Sequence, residues 1–147
     1  MASLQVCWTS RAAVLSAEVV ADPGIAGICP VCGTLPVASL VRVDLGSQGY
    51  RYLHCPLCGT EWHMVRVTCS QCQATNGITY HSIEGASDAI RAESCDSCRC
   101  YRKIFCQEKD IGVQPVADDL ASVALDLLMS EAGYHRASGN PLLWQRP

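Results

Sequence analysis

The sequence of 147 residues lacks the features that mark several large classes of protein. It has no run of 18 apolar residues free of charge, so it predicts no membrane span. No basic residue precedes Arg11 and Glu18 interrupts the apolar start, so we do not expect a secretory signal peptide. The formal net charge is −3, so the chain also lacks the basic excess that general nucleic-acid binding needs.

Patterns typical of catalysis are missing as well. No Ser/His/Asp set, phosphate-binding loop or pair of carboxylates stands out in the sequence. The sequence therefore favours a binding protein, and we do not expect an enzyme.

Cysteine, by contrast, is abundant and regularly placed. Eight of the 11 cysteines form Cys-x-x-Cys pairs, with 22 residues between the first and second pairs and again between the third and fourth. Equivalent cysteines lie 40 residues apart, which indicates one unit written twice, 29–68 and 69–108. The four pairs are Cys29/Cys32, Cys55/Cys58, Cys69/Cys72 and Cys95/Cys98.

The spacing of the pairs is typical of four-thiolate metal sites. Two cysteines on one tight turn can point both sulfurs at an ion about 2.3 Å away, and a second turn brought back by a hairpin completes the tetrahedron. A disulfide framework is disfavoured, because the cysteine count is odd and no secretory segment is expected. We predict one site of Cys29, Cys32, Cys55 and Cys58 and a second of Cys69, Cys72, Cys95 and Cys98, with Cys29/Cys32 joined to Cys69/Cys72 as the main rival grouping.

The four turns are not equally regular. The first two read CPxCG, in which proline fixes φ at the start and glycine allows a positive φ after the second ligand. The turns at 69–72 and 95–98 lack both residues, so we expect the second site to be less regular.

Hydrophobic patterning places these turns between short strands. The sequence predicts strands at 37–43, 50–54, 61–67, 77–83, 90–94 and 101–105, with a turn at 46–49. Helices are predicted at 3–20 and 115–132, the second with an apolar stripe of Leu120, Val123, Ala124, Leu127 and Leu128, followed by an irregular tail. The fold class is a small metal-binding α+β protein with two tandem β modules between two helices, divided as 1–24, 25–68, 69–110 and 111–147.

Other candidate ligands are given structural roles. Cys7, Cys100 and Cys106 lie outside the pairs, and we expect them to be buried in apolar surroundings. His54 and His63 flank the second pair, and we expect them to be satisfied or exposed rather than ligands.

The motifs resemble the FdhE family of formate dehydrogenase accessory proteins. The residues that carry the resemblance are CPVCGTLPVAS at 29–39, RYLHCPLCGTEWHMVRVTCSQC at 51–72, ESCDSCRCYRKI at 93–104 and VADDLASVALD at 116–126. Family members are about twice this length, so the chain resembles their C-terminal half and lacks their further N-terminal portion.

The resemblance implies rubredoxin-like modules that bind two iron ions through the paired cysteines. It also implies a cytoplasmic factor that acts on the catalytic subunit of a respiratory formate dehydrogenase before that subunit is exported by the twin-arginine route. A four-thiolate site suits zinc as well as iron, so zinc is the alternative metal.

Two other functions fit the cysteine pattern. The first is a zinc-ribbon module that binds nucleic acid or protein, although two divalent ions in four-thiolate sites would take the formal charge from −3 to about −7. The second is a rubredoxin-like electron carrier or a thiol oxidoreductase.

Overall fold

The structure is a computed structural model that describes residues 2–20, 23–43 and 49–143. Within these ranges the chain forms three helices and seven strands, and no helix is long and apolar enough to cross a membrane. Residues 46–48 of the predicted turn lie outside the described residues. The helices are α1 (Ala2–Ala12), α2 (Pro115–Ala121) and α3 (Val123–Glu131), and the strands are β1 (Ala38–Val41), β2 (Arg51–His54), β3 (Glu61–Met64), β4 (Ile78–His81), β5 (Ile90–Cys95), β6 (Cys100–Cys106) and β7 (His135–Arg136).

One sheet runs through both repeats. Its strand order is β3-β2-β1-β6-β5-β4, and β7 pairs with β6. Each repeat forms an antiparallel three-stranded meander, and β1 and β6 join the two meanders in parallel, with Ser39 opposite Ile104. The predicted α+β class, with a β module in each repeat and helices at both ends, is confirmed. Because β1 and β6 are parallel, the cysteine turns that precede them lie at the same end of the sheet.

The centre of the sheet is its most buried part. All four residues of β1 are buried, as expected for a strand covered on both faces. Phe105, the only phenylalanine in the chain, is completely buried on the neighbouring strand β6. It belongs to the core cluster of Val37, Ala38, Leu40, Ala89, Phe105 and Val113.

The N-terminal helix is shorter than predicted. The expected helix at 3–20 ends at Ala12, and none of the residues in α1 is buried. Val14 and Val19, which belonged to the expected apolar face, are 82% and 72% exposed. Most helical stability in proteins comes from packing an apolar face. Ala12 packs beside the cysteines of the first repeat, but the exposed Val14 and Val19 beyond it add no buried face that would extend the helix.

The predicted second helix is two helices that meet at Ser122. The Ser122 hydroxyl donates to the Asp118 carbonyl at 2.6 Å, and Lys103 Nζ donates to the carbonyls of Asp119 and Ser122 at 2.9 and 3.0 Å. These bonds use carbonyls that a continuous helix would need. Gly133, at φ 80°, follows the end of α3.

The predicted apolar stripe of the second helix is also wrong in part. Leu127 and Leu128 are 63% and 48% exposed, and Leu125 and Met129 are the buried residues of α3. The break at Ser122 changes which face α3 turns toward the sheet, so a stripe counted through one continuous helix does not apply.

The tail that was expected to be irregular contains a strand. His135 and Arg136 form β7, which pairs in parallel with Cys100 and Tyr101 of β6. Arg136 forms ion pairs with Asp119 and Asp126.

A buried charge network attaches the helices to the sheet. The side chains of Lys103 and Asp119 are fully buried, and Lys103 Nζ lies 3.3 Å from Asp119 Oδ1 and 2.7 Å from Asp126 Oδ2. Asn140, 2% exposed, donates to Asp119 Oδ2 at 2.9 Å. The carboxylate of Asp119 thus balances two cations, Lys103 and Arg136.

Replacing Asp119 by alanine should destabilise the fold strongly. The change leaves Lys103 and Arg136 short of a counter-charge, and breaking a buried pair typically costs about 3–5 kcal/mol. Chemical denaturation of the metal-loaded protein measures this loss. The matched control is Glu131→Ala, an exposed helical carboxylate, which should change the free energy of unfolding by no more than about 0.5 kcal/mol. Equal losses in the two variants would contradict the role of the network.

Candidate metal centres

The eight paired cysteines form two clusters, one in each repeat. In cluster 1 (Cys29, Cys32, Cys55 and Cys58) and in cluster 2 (Cys69, Cys72, Cys95 and Cys98), all the sulfurs of a cluster lie within 4.8 Å of one another. The structure therefore groups the turns within each repeat, and the rival grouping of Cys29/Cys32 with Cys69/Cys72 does not form.

The distances between sulfurs suit a tetrahedral ion. Sulfur ligands at about 2.3 Å from such an ion lie about 3.8 Å from one another. The Cys29–Cys58 and Cys32–Cys55 sulfur pairs are 3.5 and 3.4 Å apart. In cluster 2 the corresponding pairs, Cys69–Cys98 and Cys72–Cys95, are 3.7 and 3.6 Å apart. All of these separations are far longer than a disulfide bond of about 2.05 Å.

The turns of the first repeat are closed by the same backbone bonds. The amides of Gly33 and Gly59 donate to the carbonyls of Cys29 and Cys55 at 2.9 and 3.1 Å, and both glycines have φ 73°. This is the positive φ that the CPxCG motif predicted.

The turns of the second repeat keep a left-handed residue without glycine. Gln73, at φ 62°, follows Cys72 and donates its amide to the Cys69 carbonyl at 2.9 Å, and Arg99, at φ 56°, follows Cys98. Gln73 and Arg99 therefore take the left-handed conformation that glycine takes in the first repeat, although residues with a Cβ atom disfavour it. Both clusters still bring four sulfurs together, so the missing glycines do not prevent the grouping.

Two threonines near cluster 1 were not singled out by the sequence analysis. The Thr34 hydroxyl lies 3.3 Å from the Cys32 sulfur, and the Thr60 hydroxyl lies 3.1 Å from the Cys58 sulfur. Both occupy the last position of a CPxCGT motif, which is the signal that could have identified them. The Cys32 thiol is the donor toward Thr34, whereas the Thr60 hydroxyl can donate to a Cys58 thiolate and stabilise its negative charge, as residues around metal ligands commonly do.

Hydrogen bonding and burial set the thiol pKa values differently within each cluster. The hydrogen bond from Cys55 lowers the pKa of Cys29 to about 5, and the same interaction, with burial, raises the pKa of Cys55. Burial would raise the pKa of Cys95, but the Cys98 amide and the Cys72 thiol outweigh it and lower the pKa to about 7. Burial raises the pKa of Cys98. Each cluster therefore contains one sulfur that ionises readily, and a thiolate is the form that binds metal.

The fourth turn is fixed by the chain that follows α3. The Tyr134 hydroxyl donates to Asp96 Oδ1 at 2.6 Å, and the Arg99 guanidinium lies 4.2 Å from the centre of the Tyr134 ring. Arg99 Nη2 also donates to the carbonyls of Ala132 and Gly133, each at 3.3 Å. These contacts hold Arg99 in its left-handed conformation, and no local pattern in the sequence predicted them.

Shortening Tyr134 to leucine should loosen cluster 2. The change removes both the hydroxyl bond and the cation–π contact, which together predict a roughly 10-fold faster release of metal from cluster 2. Chelator-release kinetics measure the rate. The control Tyr50→Leu replaces a half-exposed tyrosine that contacts His63 at the far end of β2, and it should leave the rate unchanged. An unchanged rate in Tyr134→Leu would show that the tail does not support cluster 2.

The two clusters differ in their access to solvent. Cys29, Cys55 and Cys58 of cluster 1 are buried, and they pack against Ala12, Val31, Leu57 and Trp62. In cluster 2, Cys72 is exposed and Cys98 is half-buried. A chelator can therefore reach cluster 2 more easily.

Chelator removal of bound metal should accordingly show two phases of equal amplitude. The fast phase belongs to cluster 2 and should disappear in the variant Cys72→Ser/Cys98→Ser, whereas Cys106→Ser, which alters a thiol outside the clusters, should keep both phases. Stopped-flow absorption with a coloured chelator follows the release. Release in two phases from the cluster 2 variant would contradict the assignment.

The remaining cysteines and the two histidines lie outside the clusters. Cys7 is exposed, so the prediction that it is buried is wrong, and Cys100 and Cys106 are half-buried. His54 lies 3.1 Å from Glu61 Oε1, and His63 is exposed and makes an edge contact with Tyr50 at 5.7 Å. The prediction that these histidines are satisfied or exposed is confirmed.

Two basic residues near cluster 2 do not belong to the surface. Arg102 and Lys103 are 4% and 1% exposed. They therefore cannot contribute to a basic patch for nucleic acid.

Two four-cysteine clusters, each on a three-stranded meander, define a rubredoxin- or zinc-ribbon-like protein. The model of the "FdhE, central domain" matches residues 28–66, and the model of the "FdhE, C-terminal domain" matches residues 67–143. The chain belongs to the FdhE family, as its motifs indicated.

Relatives with known sequences and a solved structure support this assignment. The chain is 50% identical to the FdhE homolog of Cronobacter sakazakii and 49% identical to that of Edwardsiella ictaluri, in each case over 97% of this chain and 46% of the relative. The chain thus spans about half the length of the curated relatives it matches. The crystal structure of the FdhE protein from Pseudomonas aeruginosa matches with a TM-score of 0.90 and 40% identity, over 99% of this chain and 51% of that one.

Proposed function

We propose that each cluster binds one metal ion, through Cys29, Cys32, Cys55 and Cys58 and through Cys69, Cys72, Cys95 and Cys98. The proposal is supported by sulfur separations of 3.4–3.7 Å, close to those of a tetrahedral four-thiolate site. Iron is the metal that the family resemblance favours, with zinc as the alternative. Bound iron would supply one-electron chemistry, whereas zinc would stabilise the fold without redox change.

The function that family membership supports best is that of an accessory factor. The chain would bind the catalytic subunit of a respiratory formate dehydrogenase and support its assembly into active enzyme before export. The observation that carries this proposal is the match to FdhE proteins along 97% of the chain. The chain would act by binding its client rather than by catalysing a reaction.

The cytoplasm is the compartment that the chemistry of the clusters favours. Thiolate ligands must stay reduced, and glutathione and thioredoxin keep thiols reduced in the cytosol. The chain would bind the catalytic subunit in the cytoplasm, before that subunit is exported.

The chain would divide into an N-terminal helix at 1–24, a first module at 25–68, a second at 69–110 and a C-terminal segment at 111–147. The two family models meet between residues 66 and 67, two residues before the proposed boundary between the modules, and the second model also covers most of the C-terminal segment. The continuous sheet would hold the two modules together as a single binding surface.

Capture of the client tests the accessory function. A tagged form of this chain, purified under reducing and anaerobic conditions, should retain the catalytic subunit of a respiratory formate dehydrogenase. Cys29→Ser/Cys32→Ser, which removes half of cluster 1, should lose it, because metal binding supplies folding energy to the loops around a cluster. The control Cys106→Ser should capture the subunit as well as the unaltered chain does. Failure of the unaltered, metal-loaded chain to capture the subunit would contradict the proposal for this chain.

A further inference from the structure

Three charged side chains are buried together near the loops of both clusters. Arg51, Glu93 and Arg102 are 0%, 5% and 4% exposed. Glu93 and Arg102 lie opposite each other on β5 and β6, and Arg51 Nη2 of β2 lies 2.8 Å from Glu93 Oε1. We call these residues the Arg–Glu–Arg triad. It brings charges from both repeats into the interior, where an unbalanced charge is costly.

Arg102 contacts the loops of both clusters. Its Nε donates to the Ser70 hydroxyl at 2.8 Å, and Ser70 lies between Cys69 and Cys72 of cluster 2. Its Nη1 donates to the carbonyl of Pro36, which follows the first turn of cluster 1 by four residues. A single planar guanidinium therefore fixes these two loops relative to each other.

Arg51 reaches from the first repeat to the start of the second. Its Nη1 donates to the carbonyl of Thr68, the residue directly before Cys69, at 3.0 Å. Its Nε donates to the Ser39 hydroxyl of β1 at 3.0 Å. Arg51 therefore binds the residue directly before Cys69, and Arg102 binds the residue directly after it. Both arginines thus position the first turn of cluster 2.

The loops of the two clusters also touch directly. A Cβ atom placed on Gly27, two residues before Cys29, would lie 2.4 Å from the carbonyl oxygen of Ser70. This separation is too short for any side chain, so the backbone before cluster 1 packs against the first turn of cluster 2. Movement of one loop must therefore displace the other.

The triad carries two positive charges and one negative charge. Glu93 Oε2 and Arg102 Nη2 are buried without a hydrogen-bond partner among the described residues, and Arg51 Nη2 is at ion-pair distance from Glu93 without the alignment of a hydrogen bond. Burial and Arg51 lower the pKa of Arg102 to about 10, whereas Cys69 raises it. A divalent ion in four thiolates leaves cluster 2 with a charge of about −2, which attracts the excess positive charge of the triad.

We propose that the Arg–Glu–Arg triad couples the two clusters, so that metal bound at cluster 2 increases the metal affinity of cluster 1. The negative charge of metal-loaded cluster 2 would hold the arginines of the triad in place. Arg102 would then hold Pro36 through its carbonyl and Ser70 through its hydroxyl, and Ser70 packs against Gly27 beside cluster 1. The coupling is reciprocal, as for any two linked binding sites. This inference rests on the proposal that both clusters bind metal.

Zinc titration against a chromophoric chelator measures the coupling. The variant Cys72→Ser/Cys98→Ser removes cluster 2 and should lower the zinc affinity of cluster 1 by about 10-fold. In the background Arg102→Met, which keeps an unbranched aliphatic stem but removes the charge and the donors, the same loss of cluster 2 should lower the affinity by less than about twofold. An equal change in both backgrounds, or no change in the unaltered background, would overturn the proposal.

A glycine variant tests the coupling without altering the triad. Gly27→Ala forces a Cβ against Ser70 and should reduce the coupling, whereas the control Gly139→Ala, which has nothing within 4 Å, should retain it in full. Circular dichroism of the zinc-loaded proteins shows whether each variant folds. If Arg102→Met does not fold, full coupling in a folded Gly27→Ala would still overturn the proposal.

The two proposals fail in different ways. Zinc bound at neither cluster of the unaltered chain would overturn metal binding and the coupling together. Tight zinc binding at both clusters, with the affinity of each independent of the other, would overturn the coupling alone.

Discussion

The structure depends on one geometric requirement, that four sulfurs from two distant turns lie about 3.8 Å apart around a common centre. Each repeat brings its two turns together through a three-stranded meander. In the first repeat one turn precedes β1 and the other connects β2 to β3; in the second repeat one turn precedes β4 and the other connects β5 to β6. The parallel pairing of β1 and β6 then places both clusters at one end of a single sheet. Two neighbouring charged residues of β6 are buried beside the clusters. Arg102 contacts the cysteine loops, and Lys103 contacts the helices.

Local spacing predicted most of the candidate site. The recurrence of Cys-x-x-Cys at 40 residues identified all eight clustered cysteines, and the hairpin length between pairs predicted their grouping within each repeat. The strands β1 to β6 were also predicted near their observed positions, because each is short and lies next to a cysteine turn. The glycines that follow Cys32 and Cys58 predicted the positive φ observed there.

Local sequence patterns did not predict the long-range contacts. The join between β1 and β6, the strand β7 and the buried triad all depend on pairing between residues far apart in the chain. Arg51 and Arg102 follow a pattern typical of a solvent-exposed face. Nothing local shows that Glu93 will form an ion pair with Arg51, or that distant backbone carbonyls will accept hydrogen bonds from both arginines. The break at Ser122 was missed for the same reason, because the carbonyls of Asp119 and Ser122 accept hydrogen bonds from Lys103 on the distant strand β6.

Metal content together with the absorption spectrum, measured on protein purified without oxygen, tests most directly whether the two clusters bind metal. We expect one ion in each of the two clusters, and for iron a reddish thiolate-to-iron band on oxidation. Two zinc ions without colour would keep the four-thiolate geometry and make both metals structural. Less than one metal ion per chain would contradict the central claim that the paired turns are built around metal ions.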